Sequence, residues 1–419
     1  MPIAGAGWRR HYRSSSRRPL PRVGGLKSRG SRPVRATPWW AALASIALLA
    51  GCSGNLPDLG SAPSAPSQPS SNIGEGKVKA GLILPLSASG NAAVAAQSMR
   101  NAAEMALAEF NNPDLQLLVK DDGGSAAGAQ QAAQQALDEG AEIILGPLFA
   151  LTVGPVGRAA RGRGVPVIAF STDTNVAARG VYLLSFLPES DVDRIIGYAA
   201  SQGRRSFAAL VPDNAYGSVA EAAFKQAVAR GGGRVIALER YPLDKAQMQG
   251  PVRNVAQAAS RADAIFIPDG ADAVPAVVQA LTANGIDTKR VQLLGTGLWE
   301  DAQIFSNPQL DGAWYAGPDS TGFRNFSARY RSRYGRDPVR TASLAYDAVA
   351  LVAALVKTQG KQRFSDEVLT TSSGFTGIDG LFRFRPDGTN QRGLAVLRVS
   401  PTGGQVISTP PKGFGGSAT

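Results

Sequence analysis

The stretch that decides the fold runs from Lys77 to Pro147 and reads KVKAGLILPLSASGNAAVAAQSMRNAAEMALAEFNNPDLQLLVKDDGGSAAGAQQAAQQALDEGAEIILGP. It contains three short apolar runs, AGLIL, LQLLV and EIILG, separated by two Ala-rich segments long enough to form helices. Such alternation predicts a parallel sheet covered by helices on both faces. Ligands bind beyond the carboxyl ends of the strands in these sheets. The small, polar and turn-forming residues after the runs, at 85–90, 121–124 and 146–148, therefore predict the rim of a cleft.

The same alternation continues beyond this stretch and restarts once, near Arg205. A first crossing between two βα halves fits 187–191, and a second fits 312–318. Near the end of the chain, the apolar runs 378–385 and 394–399 flank a Pro-Asp-Gly turn and predict a two-stranded hairpin. Two similar βα halves joined by several crossings predict a hinged α/β clamshell of two lobes, each a mostly parallel sheet with helices on both faces.

The order of motifs resembles a known family. LPLSASG is followed by a helix with RNAAEMALAE, then by VKDDGG, ILGPL and VPVIAFSTDT. This series resembles the type I periplasmic solute-binding proteins, and in particular the leucine/isoleucine/valine-binding group, which supplies substrate-binding proteins to ABC transporters. Lipoprotein relatives that activate penicillin-binding proteins share the pattern. The resemblance covers Lys77 to Val399 and is more specific for the fold than for the ligand.

The chain divides into five parts on this interpretation. We expect a signal peptide with a lipobox at 1–52, a disordered linker at 53–76, lobe 1 at 77–188 and 319–357, lobe 2 at 189–318 and 358–400, and a loose tail at 401–419.

The formal net charge of +12 comes mostly from the first 52 residues. They hold ten of the 44 basic residues and none of the 32 acidic ones, which leaves a net charge of about +2 for the rest of the chain. A nearly neutral body does not favour nucleic-acid binding, because that function needs a basic surface.

The chain has one cysteine, Cys52, and one histidine, His11. An intramolecular disulfide is therefore impossible. Histidine-based metal sites, a Ser-His-Asp triad and a Cys-His pair are excluded from the part of the chain after the leader. We therefore predict no enzymatic activity, no metal and no cofactor. The glycines at 231–233 follow a helix and lack the GxxxxGK[ST] pattern, so they do not indicate a phosphate-binding loop.

A short apolar run from Trp39 ends in Leu49-Ala50-Gly51-Cys52. A basic region, a short apolar core and small residues before a cleavage site are typical of a signal peptide. The run has about 14 residues, fewer than the roughly 20 that span a bilayer. LAGC resembles a bacterial lipobox, which implies lipidation of Cys52. Ser53 follows the cysteine, so by analogy we expect a lipid anchor facing the periplasm, in the outer rather than the inner membrane.

The resemblance implies that hydroxyl and backbone groups hold the carboxylate and ammonium of an amino-acid ligand. Ala150 stands where the family has a serine after the Gly-Pro turn, and Asp173 stands close to the family's threonine. Ser171 and Thr172 still offer hydroxyl groups beside it. The aromatic residue expected on the first loop is replaced by small residues around Ala95.

Three further residues are candidates for ligand contact. Tyr216, followed by Gly217, matches the family's cleft tyrosine on lobe 2; its alternative role is packing at a helix start. Trp299 follows a strand and is a candidate cap for an apolar part of the ligand, or a surface or interlobe residue. Ser87 is a candidate donor on the first loop. Asp173 has the alternative role of capping a turn.

Two functions from different classes follow. The first is an extracytoplasmic binding lipoprotein that delivers a small, amino-acid-like solute to an ABC permease. The second is an outer-membrane lipoprotein that regulates a cell-wall synthase. Because Ala150, Asp173 and Ala95 replace the usual holding residues, we predict no tight binding of free leucine, isoleucine or valine. A cationic, neutral or peptide-like partner fits better.

Overall fold

The structure is a computed structural model that describes residues 72–110, 113–242 and 244–414. Cys52, the expected signal peptide and most of the expected linker lie outside these residues. In the part of the chain that is described, no helix is both long and apolar enough to cross a membrane.

Lobe 1 contains a five-stranded, fully parallel sheet with the strand order β2-β1-β3-β4-β5. The strands are β1 (Val78–Leu84), β2 (Leu115–Asp121), β3 (Ile143–Leu145), β4 (Val167–Ala169) and β5 (Val181–Leu183). The three apolar runs of the opening stretch are β1, β2 and β3. Their residues are almost all buried, as expected for parallel strands covered on both faces.

Three helices connect these strands, namely α1 (Asn91–Glu109), α2 (Ala126–Asp138) and α3 (Ala150–Arg161). The buried residues of α2 are mostly alanines, and small side chains allow close packing on the sheet and on α3. The helix α2 begins at a serine cap, because Ser125 Oγ accepts a hydrogen bond from the Gly128 N–H at 3.1 Å.

The chain then enters lobe 2. Leu187 is still buried in the core of lobe 1, whereas Val192 belongs to the core of lobe 2. The helices here are α4 (Pro188–Ser201), α5 (Ala215–Arg230), α6 (Lys245–Ala259), α7 (Val274–Ala283) and α8 (Ala302–Phe305). The strands are β6 (Ser206–Pro212), β7 (Arg234–Tyr241), β8 (Ala264–Phe266), β9 (Gln292–Gly295) and β10 (Trp314–Gly317).

After β10 the chain returns to lobe 1. It forms α9 (Ser320–Tyr334), α10 (Ala342–Thr358), α11 (Asp366–Leu369) and a three-stranded antiparallel sheet of β11 (Phe375–Gly377), β12 (Gly380–Phe384) and β13 (Asn390–Arg392). The helix α10 packs along α1 and buries eleven residues, so it completes the core on one face of the lobe 1 sheet.

The last crossing brings β14 (Ala395–Ser400) and β15 (Gly403–Ser408) into lobe 2. Both are antiparallel to their neighbours, and the full order of this sheet is β15-β14-β10-β9-β8-β6-β7. The predicted fold class is confirmed: two α/β lobes, each built on a mostly parallel sheet with helices on both faces.

The structure differs from four sequence-based expectations near the ends of the body. Residues 358–392, expected in lobe 2, pack on lobe 1, because Leu369, Phe382 and Phe384 are buried in its core. The expected hairpin between 378–385 and 394–399 is wrong: β12 pairs with β13 across the Pro-Asp-Gly turn, and β14 lies in the other sheet.

The other two differences concern segments expected to be loose. The expected tail 401–419 begins with a paired strand, β15. The expected linker 53–76 ends with residues that join the fold, since Ile73 forms an antiparallel bridge with Leu117 and packs on the lobe 1 core. The ordered body therefore begins before Lys77.

Candidate functional site

All the candidate ligand residues lie on loops that follow the carboxyl ends of strands, or at the helix starts beyond those loops. In lobe 1 these loops follow β1, β3 and β4, and in lobe 2 they follow β6 and β9. This is the edge of a parallel sheet where ligands bind.

Asp121 organises the first loop of lobe 1. Its Oδ1 accepts hydrogen bonds from the backbone N–H of Ser87 at 3.2 Å and of Gly123 at 2.9 Å. Partial burial raises the pKa of Asp121, but the hydrogen bonds from Ser87 and Gly123 outweigh it and lower the pKa overall. Ser87 itself is exposed, so its hydroxyl lies at the rim of the loop rather than in the core.

The loop after β4 carries three of the candidate residues. Ser171 is buried, and its Oγ accepts a hydrogen bond from the Asp173 N–H at 3.1 Å. Asp173 Oδ1 accepts from the Asn175 N–H at 2.9 Å and so caps a short 3-10 turn at 174–176. Thr172 between them is exposed. One carboxylate oxygen of Asp173 therefore caps the turn, which is the alternative role considered for this residue.

Ala150 is the first residue of α3 and presents only a methyl group. Exposed apolar side chains stand near it and at two other strand ends. Val94 in the first turn of α1 is 55% exposed, Leu151 in α3 is 58% exposed, and Leu298 after β9 is 46% exposed. Three of the five large hydrophobic residues found exposed among the described residues thus lie beyond the carboxyl ends of strands.

Tyr216 lies at the start of α5, beyond the end of β6. Its hydroxyl donates a hydrogen bond to Thr296 Oγ1, at the end of β9, with an O–O distance of 3.0 Å. Gly217 permits this geometry, because a Cβ there would lie 1.9 Å from the Pro212 carbonyl oxygen. Burial raises the pKa of Tyr216, and nearby carboxylates, Asp191 first, raise it further, so the phenol stays neutral.

Two acidic residues at the start of α4 were not identified from the sequence. Glu189 Oε1 accepts a hydrogen bond from Thr174 Oγ1 at 3.1 Å, which links the loop after β4 in lobe 1 to the first helix of lobe 2. The second oxygen, Glu189 Oε2, is buried and has no hydrogen-bond partner. It is therefore a buried acceptor without a partner among the described residues, as the buried Arg392 Nη1 and Nη2 are donors without one.

Asp191 lies two residues after Glu189 in α4. Its Oδ2 accepts a hydrogen bond from the Gly297 N–H at 2.9 Å, which ties α4 to the loop after β9. Burial raises the pKa of Asp191 to about 7, although the Gly297 N–H and the charge of Arg392 act in the opposite direction. The carboxyl group thus changes its charge near neutral pH.

Trp299 does not have the role expected of it. It is fully buried in the core of lobe 2, and its ring lies over Gly295, where a Cβ would approach the ring to 2.1 Å. A side chain without exposed surface does not cap a ligand, so this expectation is corrected. The neighbouring Leu298 is the residue that this turn exposes.

Two arginines flank Phe186, just before the first crossing. The guanidinium of Arg340 lies 4.5 Å from the ring centroid and that of Arg392 lies 4.6 Å from it. Arg340 forms a bidentate pair with the buried Asp379, at 3.0 and 2.5 Å. Positive charge is therefore stacked at the hinge, and the charges of Arg392 and Arg340 also act on Asp191. The carboxyl groups whose charge acts on Tyr216 are those of Asp191, Asp269 and Glu189.

The arrangement provides groups for binding rather than for a reaction. Within the described ranges, no three His, Cys, Asp or Glu side chains are grouped so as to hold a metal ion. A surface pocket of about 420 Å³ near Arg161 and Arg179 lies at the amino ends of β4 and β5, away from the strand ends discussed above.

Comparisons with known proteins agree with this geometry. The family model described as "Periplasmic binding protein" matches residues 77–405. A putative branched-chain amino acid ABC transporter protein from Rhodospirillum rubrum superposes with a TM-score of 0.71 at 21% identity, covering 79% of this chain and 99% of that one. A search of curated proteins found no match.

Two further solved structures share this fold, and their names mention two different ligands, leucine and benzoate. A leucine-binding protein from Thermotoga maritima gives a TM-score of 0.57 at 17% identity, covering 80% of this chain and 99% of that one. A solute-binding protein from R. palustris in complex with benzoate gives 0.57 at 17% identity, covering 82% and 100%. At these identities the likeness shows the fold alone.

The family model spans most of the chain, from just before β1 into β15. Its members are binding proteins, which agrees with the prediction that the chain is not an enzyme. The two α/β lobes, the binding groups at their strand ends and the family match lead to one conclusion: this chain belongs to the periplasmic binding protein family.

Proposed function

We propose that the protein is a lipid-anchored, extracytoplasmic binding protein that holds a small amino-acid-like solute between its lobes and delivers it to an ABC permease. The observation that carries this proposal is the hydrogen bond from Thr174 to Glu189. It brings the candidate loop of lobe 1 against the first helix of lobe 2, within electrostatic range of Tyr216. This contact supports a site to which both lobes contribute groups.

The carboxyl groups near Tyr216 support one class of ligand. Glu189 has an unpaired buried oxygen, and Asp191 is a second carboxyl group in the same region. A carboxylate attracts an amine and repels another carboxylate. The exposed Val94, Leu151 and Leu298 add apolar surface. We therefore propose a ligand with a cationic amine and an apolar body.

Free branched-chain amino acids are expected to bind weakly. Ala150 lacks the hydroxyl that the family uses, and Asp173 already accepts a bond from Asn175. Each lost charge-assisted hydrogen bond costs about 1.5–3 kcal/mol. Two such losses weaken a micromolar complex to roughly millimolar.

A second function is favoured by the same two positions. A family member that lacks the residues for holding an amino acid is suited to a regulatory role. In that role its two lobes would contact a cell-wall synthase. The lipobox at Cys52 and the Ser/Pro-rich stretch after it support an outer-membrane anchor that allows such reach. Both functions place the protein in the bacterial cell envelope, facing the periplasm.

Titration calorimetry on the purified protein tests the leading function. The ligands are leucine, isoleucine, valine, lysine and putrescine, and the matched variants are Glu189→Gln and Glu142→Gln. Glu142 forms a surface ion pair with Arg363 and serves as the control. We expect tighter binding of the cationic compounds, reduced about tenfold or more by Glu189→Gln and unchanged by the control.

Two outcomes contradict parts of this proposal. Micromolar binding of free leucine that disappears in Tyr216→Ala restores an amino-acid site of the usual family type. An absence of heat with every compound, together with capture of a cell-wall synthase by the immobilised protein, supports the regulatory function instead.

A further inference from the structure

The described residues after β15 leave lobe 2 and contact lobe 1. Ser408 is the last residue of β15, in the lobe 2 sheet, whereas the ring of Phe414 lies 4.7 Å from the guanidinium of Arg383 on β12, in lobe 1. We call residues 409–414 the strap. The three crossings that follow β5, β10 and β13 already join the lobes, so the strap is a fourth link between them.

Arg194 on α4 fixes the lobe 2 end of the strap. Its Nη2 donates to Ser408 Oγ at 2.7 Å and to the carbonyl oxygen of Thr409 at 3.1 Å. Its Nε donates to the carbonyl oxygen of Leu394 at 2.8 Å, in the third crossing. One guanidinium therefore holds the strap and the third crossing together.

The middle of the strap packs on the third crossing itself. A Cβ placed on Gly393 would lie 3.3 Å from Pro411 Cγ, so the proline ring covers this glycine closely. Pro410 and Pro411 both have φ restricted to about −65°, which makes this part stiff. The five peptide units from Thr409 to Phe414 span at most about 17 Å even when extended. The strap is therefore a short link.

Phe414 fixes the lobe 1 end. Arg383 beneath its ring is held in place by Gln391 Oε1, at 3.0 and 2.8 Å, and by the carbonyl oxygen of Ser372 at 3.1 Å. Gly374, with φ of +71°, borders the same ring, and a Cβ there would lie 3.0 Å from Phe414 Cε2. The ring of Phe414 thus packs against the guanidinium of Arg383 and beside Gly374.

We propose that the strap restrains rotation of the lobes about their three crossings, and that Phe414 must leave Arg383 for the lobes to open fully. Domain closure around a hinge is the motion of two-lobe binding proteins, and a short, stiff link beside the hinge limits its range. This inference concerns the hinge and does not depend on which ligand binds.

Hydrogen exchange measured by mass spectrometry on the full chain tests the proposal. The variants are Phe414→Ala, a chain ending at Lys412, and Lys412→Ala as the matched control, since Lys412 is an exposed residue of the strap. An exposed cation–π contact corresponds to about a two- to fivefold change in an opening equilibrium. We expect exchange faster by this factor at the Gly393 N–H, which bonds the Leu381 carbonyl oxygen at 2.8 Å.

Hydrogen exchange at a second amide distinguishes restraint of the hinge from a change that is confined to the surroundings of the strap. The Ser190 N–H bonds the Leu187 carbonyl oxygen at 3.1 Å in the first crossing. If the strap restrains the hinge, exchange at Ser190 also increases in Phe414→Ala and in the shortened chain, but not in Lys412→Ala. Unchanged exchange at Ser190 in both altered chains, or an equal change in the control, overturns the proposal.

Discussion

Replacement of Asp191 by asparagine is expected to stabilise the protein, and more strongly at pH 8 than at pH 5. The amide keeps an oxygen to accept the bond from Gly297 but cannot ionise. In the folded protein burial raises the pKa of Asp191 from 3.8 to about 7. A carboxyl group that resists ionisation in the folded state favours the unfolded state wherever the unfolded chain ionises.

The sign and size follow from this shift. Below about pH 4 the group is protonated in both states and has no effect. Stability is lost as the pH rises from about 4 to 7, and the loss is constant above that range. The full shift of about three units corresponds to at most about 4 kcal/mol, of which about 2–3 kcal/mol arises between pH 5 and pH 8.

Urea unfolding at both pH values, followed by circular dichroism, measures this difference. Asp193→Asn is the matched control, because Asp193 lies on the same helix in a surface ion pair with Arg230. Its effect is expected to stay below about 1 kcal/mol at either pH. If Asp191→Asn changes the free energy of unfolding equally at pH 5 and pH 8, the argument that burial raises this pKa is refuted.

Three further predictions follow from the same structure. Binding of a cationic ligand should weaken as the pH falls below about 7, because protonation removes the charge of Asp191; titrations at pH 5.5 and 8 that give equal affinity contradict this. A chain beginning at residue 72 should unfold cooperatively and be about 1–2 kcal/mol more stable than one beginning at Lys77, which lacks the bridge between Ile73 and Leu117; equal urea midpoints argue against a role for that bridge. Cys52→Ala should abolish metabolic lipid labelling and leave an unprocessed precursor, and labelling that persists in the variant rejects the lipobox.

The sequence was most informative where strands are continuous apolar runs. β1, β2 and β3 are such runs, because parallel strands are buried on both faces. It was least informative near the end of the body. The polar strand β13, Asn390–Arg392, gives no apolar signal, so the Pro-Asp-Gly turn was assigned to the wrong partner strand. Apolar periodicity identifies a strand but does not say which sheet receives it.

The site was harder to predict than the fold. Tyr216 was found through a family motif, but Glu189 and Asp191 look like ordinary acidic residues in the first turn of a helix, where the helix dipole favours them. Their burial and their contacts with Thr174 and Gly297 come from the meeting of separate chain segments. Trp299 was expected to contact a ligand but is buried in the core of lobe 2. A tryptophan after a strand is equally compatible with either position, so the sequence does not distinguish them.

Native mass spectrometry of the protein purified without denaturation tests the central claim most directly. We predict a complex with one small molecule that carries an amine, and loss of that molecule in Tyr216→Ala under the same conditions. A protein that shows only its own mass, and that takes up no small molecule from an extract of the cell envelope, would contradict the proposal that the two lobes hold a solute.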